Sequence, residues 1–308
     1  MILGQVAGAL YWKSLDYQVW RKLHMLGYFI LFLGFAHSFL LGTETALPPD
    51  NPLGYWWLFL ALVAVFFTFH NLVYRRVFKP QRFEVVGVRK ETPDVTTVEL
   101  EPLQNDIENL PGQFAFVRFD SGNVPAEEHH FTISSGAGRE GITFTVKDVG
   151  DFTSKLDRLE EGETADVEGP YGSFTTDGTE GPYTFIAGGI GITPLMSMIR
   201  TMHGSGGAEQ IRLIYGNRTR DDIVFRDELS EIEENSDWLE VEHVLSEEDA
   251  EGFRHGYVDR ELLEELVLED SEIFLCGPPP MMESVRSDLE EMGVDPARIH
   301  FERFSLRE

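Results

Sequence analysis

Hydrophobic and polar positions follow three successive textures along the 308-residue chain. Residues 25–43 and 51–74 contain no Lys, Arg, Asp or Glu. At about 1.5 Å per residue each run matches a hydrocarbon core of about 30 Å, so the pattern predicts two transmembrane helices near 24–42 and 54–74. From 82 to about 174 the apolar runs are short and rich in β-formers, at 83–88, 95–100, 114–119, 131–134, 142–146 and 165–168, with Gly, Pro, Asn and Asp clusters between them. That spacing predicts a small antiparallel β-barrel. From 183 onward, short apolar strands (183–187, 211–215, 240–245, 273–276, 299–301) alternate with helical stretches (195–202, 227–234, 259–266, 281–292). Such alternation predicts an α/β domain with a parallel sheet. The expected regions are therefore 1–80, 81–180 and 181–308.

Charge sharpens this division. The first 80 residues carry six basic and three acidic side chains, whereas 81–308 carry 19 basic and 50 acidic ones, a net charge of −31. Arg21 and Lys22 precede the first apolar run, Arg75, Arg76 and Lys79 follow the second, and the connection with Glu44 and Asp50 has no basic residue. The Lys/Arg bias then places both outer flanks, and the long C-terminal part, in the cytoplasm of a multi-pass protein of the cell membrane. A signal peptide is the rival for the first run, but no small-residue cleavage site follows it. The acidic coat would repel nucleic acid and anionic lipid, and with only three Lys beyond residue 80 it fits a protein dispersed in high salt. The single cysteine, Cys276, excludes an intrachain disulfide and a Cys-ligated zinc or iron–sulfur cluster.

The chemistry concentrates in the third region. Phe185-Ile186-Ala187 should end a buried strand, and Gly188-Gly189-Ile190-Gly191-Ile192-Thr193-Pro194 allows a tight turn into a helix, with Pro194 in its first turn. Backbone N–H groups at such a helix start face an anion, the setting for a dinucleotide pyrophosphate at the carboxyl ends of parallel strands. Glycines also serve plain turns; the strand–turn–helix context favours the binding role. Cys276 ends another expected strand and precedes Gly277 and three prolines, which puts its thiol at the same sheet edge, beside the nicotinamide, although a buried structural Cys is the default reading.

Together these strings resemble the ferredoxin–NADP reductase superfamily, and within it the ferric reductase and NADPH oxidase branch fused to a transmembrane domain. The resemblance implies an FAD-binding β-barrel over 81–180 and an NAD(P)-binding α/β domain over 181–308. His129-His130-Phe131-Thr132 is similar to that branch's flavin motif His-Pro-Phe-Thr, with His130 in place of proline. By that analogy Phe131 packs on the isoalloxazine, Thr132 bonds near its N5, His129 stands by the pyrophosphate, and Ile133 joins them as a cofactor-binding residue. Gly150-Asp151-Phe152-Thr153 resembles the second flavin-phosphate segment, with Lys147 adding charge; an N-cap without a ligand would look the same. Gly169-Pro170-Tyr171-Gly172 resembles the segment closing the flavin domain. Tyr215-Gly216-Asn217-Arg218 resembles the stretch from which Arg218 and Arg220 reach the adenosine ribose or its 2′-phosphate, and the adjacent Asp221 and Asp222 leave NADH and NADPH unseparated. Glu302 and Phe304 resemble the C-terminal Glu-x-Phe flanking the hydride-transfer site, although Phe304 lies further from the chain end than in many relatives.

The resemblance extends to haem b. His24 and His37 lie 13 residues apart, about 19.5 Å along an ideal helix, one per leaflet, where the family places axial ligands of two stacked haems. They stand about 140° apart around the helix, and the earlier spans that supply the opposite ligands are absent, so interhelical hydrogen bonding is the plain alternative. His70 would pack at the depth of His24 in an antiparallel pair. The expected function is a membrane-anchored flavoprotein passing electrons from NADH or NADPH through FAD to a one-electron acceptor. Two alternatives stay open: a haem-less electron-delivery subunit docking on a separate transmembrane partner, and a shortened haem-containing ferric reductase or oxidase.

Overall fold

The computed structural model describes residues 33–34, 37, 55, 58–63, 65–66, 69, 80–207 and 209–303. The chain divides into two compact units, Met1–Phe78 and Lys79–Glu308. In the first, the described residues are helical, and among them no helix is long and apolar enough to cross a membrane. Most residues of the two expected spans, 24–42 and 54–74, lie outside the described residues. The multi-pass membrane localisation with a cytoplasmic C-terminal part is corrected, since the described residues give it no membrane-crossing helix.

The second unit contains two six-stranded sheets. β1 (Gln81–Thr92), β2 (Val95–Pro102), β3 (Phe114–Asp120), β4 (His129–Thr132), β5 (Ile142–Lys147) and β6 (Thr164–Tyr171) form an antiparallel sheet in the order β4-β3-β6-β1-β2-β5. Its two edges meet: Ile133 bridges Phe144, and the Ser134 N–H donates to Thr143 O at 2.8 Å. The sheet thus curls into the expected barrel. Burial alternates along β3, where Ala115, Val117 and Phe119 face a core containing Phe83, Val85, Val98, Phe144 and Val167. Period-two burial of this kind is what a strand with one face on a core requires.

β7 (Tyr183–Gly188), β8 (Ile211–Asn217), β9 (Leu239–Leu245), β10 (Arg254–His255), β11 (Glu272–Cys276) and β12 (Ile299–Glu302) pair in parallel in the order β10-β9-β8-β7-β11-β12. Helices α1 (Ile192–Gly204), α2 (Arg226–Glu234), α3 (Arg260–Leu266) and α4 (Pro279–Glu291) cover it. All six residues of β7 are buried, as a central strand between helical layers demands. Phe185, Tyr215 and Phe274 face one core with α1 and α2; Ile186, Ile214 and Leu275 face another with α3 and α4. Successive strands run from β7 outward to β10, then return to the other side of β7 as β11. The strand order reverses there, and such a switch point leaves a crevice at the carboxyl ends of the strands.

Candidate functional site

The crevice is built by mutual close approach. Gly188 pairs in register with Gly216, and Cys276 lies between Ala187 and Glu302 on the neighbouring strands. A Cβ on Gly191 would lie 2.3 Å from the Cys276 carbonyl oxygen, and one on Gly188 would lie 2.5 Å from Met281 Sδ and 2.7 Å from Pro278 Cδ. The glycine turn is therefore seated on the Cys276-Gly277-Pro278 corner with no room for side chains. Gly189 differs: its φ of +51° is left-handed, and a Cβ there would meet nothing within 4 Å. The turn presents its open side at the crevice.

Tyr215, fully buried, fixes this turn from behind. Its hydroxyl donates to Gly189 O at 3.1 Å and accepts the Val224 N–H at 3.3 Å. Thr193 is buried and donates to Ile190 O at 3.1 Å, and Pro194 is buried in the first turn of α1. Cys276 is fully buried; burial, and then the Glu302 carboxylate, push its thiol well above the usual range. Burial alone lifts the Glu302 carboxyl to about 7. Gly188, Gly189, Gly191, Thr193, Pro194, Cys276, Gly277 and Glu302 are thus brought together at one sheet edge. Phe304 lies outside the described residues.

On the barrel, β4 turns His129 and Phe131 to one face. The His129 ring stacks on Phe152 with centroids 3.9 Å apart, and Phe131 lies 6.2 Å from both Phe144 and Phe152. Both residues are half-buried, and His129 Nε2 is 3.2 Å from Glu127 Oε2. Thr132 and Ile133 are buried at the strand end. On the opposite face the exposed His130 sits among Phe114 and Phe116. Thr153 closes its own turn, its hydroxyl accepting the N–H groups of Val149 and Gly150 at 2.9 and 3.0 Å. Gly150 itself is open, with nothing within 4 Å of an added Cβ. Lys147 does not join this turn; its ammonium pairs with Asp94 at 3.1 Å across the β2–β5 ladder.

The two sheets meet through α1, a contact that no sequence motif marked. The loop that continues β4 lies along this helix: Ser197 Oγ donates to Ser135 O at 2.7 Å, Arg200 Nη1 to Ser134 O at 2.6 Å, and the Ala137 N–H to Thr201 Oγ1 at 2.8 Å. A Cβ on Gly136 would come within 3.1 Å of the Arg200 backbone. Arg200 is held in place by both Glu228 oxygens, at 2.7 and 2.5 Å, and by the Phe225 ring 4.5 Å from its Cζ. The available signal was a lone arginine in the second half of an otherwise uncharged, largely apolar helix.

Beyond β8, Arg218 pairs with Asp222 at 2.9 Å and Arg220 with Glu248 at 3.0 Å. The Asn217 carboxamide, buried at the strand end beside Tyr215, has no hydrogen-bond partner of acceptable geometry on either its nitrogen or its oxygen among the described residues. Of the membrane-region histidines, His24 and His70 lie outside the described residues, and His37 is an exposed helical residue. No group of three metal-ligating side chains occurs among the described residues.

Two family models match this frame: an oxidoreductase FAD-binding domain over residues 84–176 and an oxidoreductase NAD-binding domain over 185–287. The chain is 35% identical over 179 residues to ferredoxin–NADP reductase B of Sorangium cellulosum, an alignment covering 55% of this chain and 73% of that protein. It belongs to the ferredoxin–NADP reductase superfamily. It has the FAD- and nicotinamide-binding domains of an NAD(P)H-dependent flavin oxidoreductase. A second member, the 2-halobenzoate 1,2-dioxygenase electron transfer component of Burkholderia cepacia, is 32% identical over 215 residues, 68% of this chain and 62% of that protein. The chain thus spans less than two thirds of that relative's length. The fold is that of the FAD/NAD-binding domain of a nitric oxide dioxygenase from Vibrio cholerae, with TM-score 0.66, 24% identity and coverage of 73% and 98% of the two chains. Neither family model reaches residues 1–83, and the ferric-reductase transmembrane domain implied by the sequence resemblance has no support.

Proposed function

We propose that the chain is the reductase of an electron-transfer system: it takes a hydride from NADH or NADPH onto FAD and delivers electrons singly to a separate redox protein. The observation that carries this is the α1 contact, through which the helix led in by the glycine turn also holds the loop continuing β4. Donor and acceptor sites are thereby built on one frame. The Burkholderia cepacia relative, named as the electron transfer component of a dioxygenase, supports a protein acceptor.

FAD, when bound, supplies the conversion from two-electron to one-electron chemistry. The residues fit that group: Phe131 and His129 offer a half-buried aromatic edge, and the open Gly150 turn leaves space for the diphosphate. Thr132 lies at the strand end nearest the α1 contact, the position for the flavin N5. On the other side, the turn at Gly188, Gly189 and Gly191 receives the dinucleotide pyrophosphate with its N–H groups and the α1 N-terminus, helped by Thr193 and Pro194. Cys276 and Gly277 form the floor on which the nicotinamide rests. Glu302, largely neutral below pH 7, would orient a bound nicotinamide by hydrogen bonding.

The test uses the full chain reconstituted with FAD. Anaerobic flavin bleaching by NADH or NADPH should be followed by reduction of ferricyanide and cytochrome c. A folded chain that retains no FAD, or whose FAD is not bleached by either nucleotide, would refute the proposal.

A further inference from the structure

We propose that this chain is specific for NADH, recognising the adenosine ribose with the neutral Asn217 carboxamide and rejecting the 2′-phosphate of NADPH because Arg218 and Arg220 are already held by Asp222 and Glu248. This deepens the reductase reading and rests on it.

In a doubly wound sheet the segment following the strand beside the glycine turn meets the adenosine ribose, and an arginine there receives a 2′-phosphate whereas a group bonding the hydroxyls receives NAD. That strand is β8, because Gly216 pairs with Gly188 and Tyr215 bonds Gly189 O. The next residue is Asn217. It is 92% buried and its backbone carbonyl accepts the Ser246 N–H at 3.0 Å; its carboxamide lies beside the Tyr215 hydroxyl and opposes the rise in that phenol's pKa, but makes no hydrogen bond of good geometry among the described residues. A buried amide without partners costs about 1–3 kcal/mol, so it calls for a ligand with one donor and one acceptor, which a ribose hydroxyl is.

The two arginines are built into the protein instead. Asp222 accepts from Arg218 Nη2 at 2.9 Å with one oxygen, and with the other from the Thr219 N–H and hydroxyl at 3.1 and 2.9 Å. Partial burial pushes the Asp222 carboxyl up, but these hydrogen bonds outweigh it and hold the group below the usual carboxylate range. Arg220 gives its backbone N–H and its Nε to the two oxygens of Glu248, at 2.8 and 3.0 Å. A 2′-phosphate, carrying about two negative charges at neutral pH, would have to displace these carboxylates. It would also lie near Glu247, whose N–H donates to Arg218 O at 2.9 Å. Arg218 feels Glu247 and Asp94 as well as Asp222, so its charge is already shared among carboxylates.

The full chain loaded with FAD is assayed for anaerobic flavin reduction by NADH and by NADPH, and its binding of 5′-AMP and of 2′,5′-ADP is measured by calorimetry. NADH should exceed NADPH in kcat/KM by at least tenfold, and 5′-AMP should bind more tightly than 2′,5′-ADP. Glu248→Gln and, independently, Asp222→Asn should each narrow the ratio at least threefold by freeing an arginine. Asn217→Ala should weaken 5′-AMP binding about tenfold while the FAD-loaded chain keeps its fold by circular dichroism. Equal or better use of NADPH, or unchanged 5′-AMP binding in Asn217→Ala, overturns the inference. Failure of both nucleotides to bleach the flavin while 5′-AMP still binds more tightly than 2′,5′-ADP refutes the reductase reading and leaves the ribose selectivity supported.

Discussion

Replacing Glu302 by Gln should make the protein more stable at pH 8 and leave it unchanged at pH 4. The carboxyl is raised from 4.5 to about 7 by burial, and among the described residues no cation or hydrogen bond offsets the loss of hydration. Below pH 4.5 the group is protonated in both folded and unfolded chains and contributes nothing to the pH dependence. Between 4.5 and 7 the folded chain holds a proton that the unfolded chain has released, so stability falls as pH rises, and above 7 the whole penalty is present. At about 1.4 kcal/mol per pKa unit the shift corresponds to roughly 3 kcal/mol. Solvent still reaches the half-buried carboxyl, which brings the expected effect to about 1–2 kcal/mol. Urea unfolding of wild type and Glu302→Gln, in matched salt from pH 4 to 8.5, measures it. The two curves should separate through the window 4.5–7, with the variant above. The same variant should abolish any step near pH 7 in the rate of flavin reduction. Parallel stability curves at all pH values would refute the assignment of a buried, partnerless carboxyl at the end of β12.

Gly191→Ala would place a methyl 2.3 Å from the Cys276 carbonyl oxygen, a backbone clash with no flexible partner to yield, so a loss of about 3 kcal/mol or more is expected in denaturant titration. Native Cys276 should resist iodoacetamide at pH 8 because its thiol is buried and held protonated, and should react on unfolding; Cys276→Ala should slow stopped-flow flavin reduction without releasing FAD. The net charge of −31 over residues 81–308 predicts that thermal stability rises with KCl, since repulsion reaches about 10 Å at 0.1 M and about 3 Å at 1 M; a melting temperature unchanged between those concentrations would refute it.

Both sheets were legible because their periodicities are strong. Alternation marked β3, and unbroken apolar runs marked β7 and β11 as central parallel strands. The two-residue β10 left no pattern to read. The glycine turn and Cys276 were legible as well, since both lie at strand ends that the parallel order brings to one edge. What escaped depends on register. Lys147 looked available for a phosphate, yet β2 and β5 pair Val95 with Lys147 and set Asp94 beside it. Arg200 meets Ser134 and Glu228, 66 and 28 positions away, and only the packing of α1 between the sheets makes them neighbours. The expected membrane localisation rested on apolar composition alone, which reports the preferred solvent of side chains, and no membrane-crossing helix occurs among the described residues.

The position of α1 also decides how such a reductase can be recombined with its relatives. The natural cut for exchanging nucleotide domains lies near Gly181, between β6 and β7. Yet Ser197, Arg200 and Thr201 hold residues 134, 135 and 137, so each parent of a chimera joined there would supply half of one hydrogen-bonded surface. The transferable cassette is therefore discontinuous: the nucleotide domain must travel with the loop after β4. Swaps that carry both pieces should keep hydride donor and acceptor aligned, and swaps that carry only the C-terminal piece should bind both cofactors yet pass electrons between them slowly.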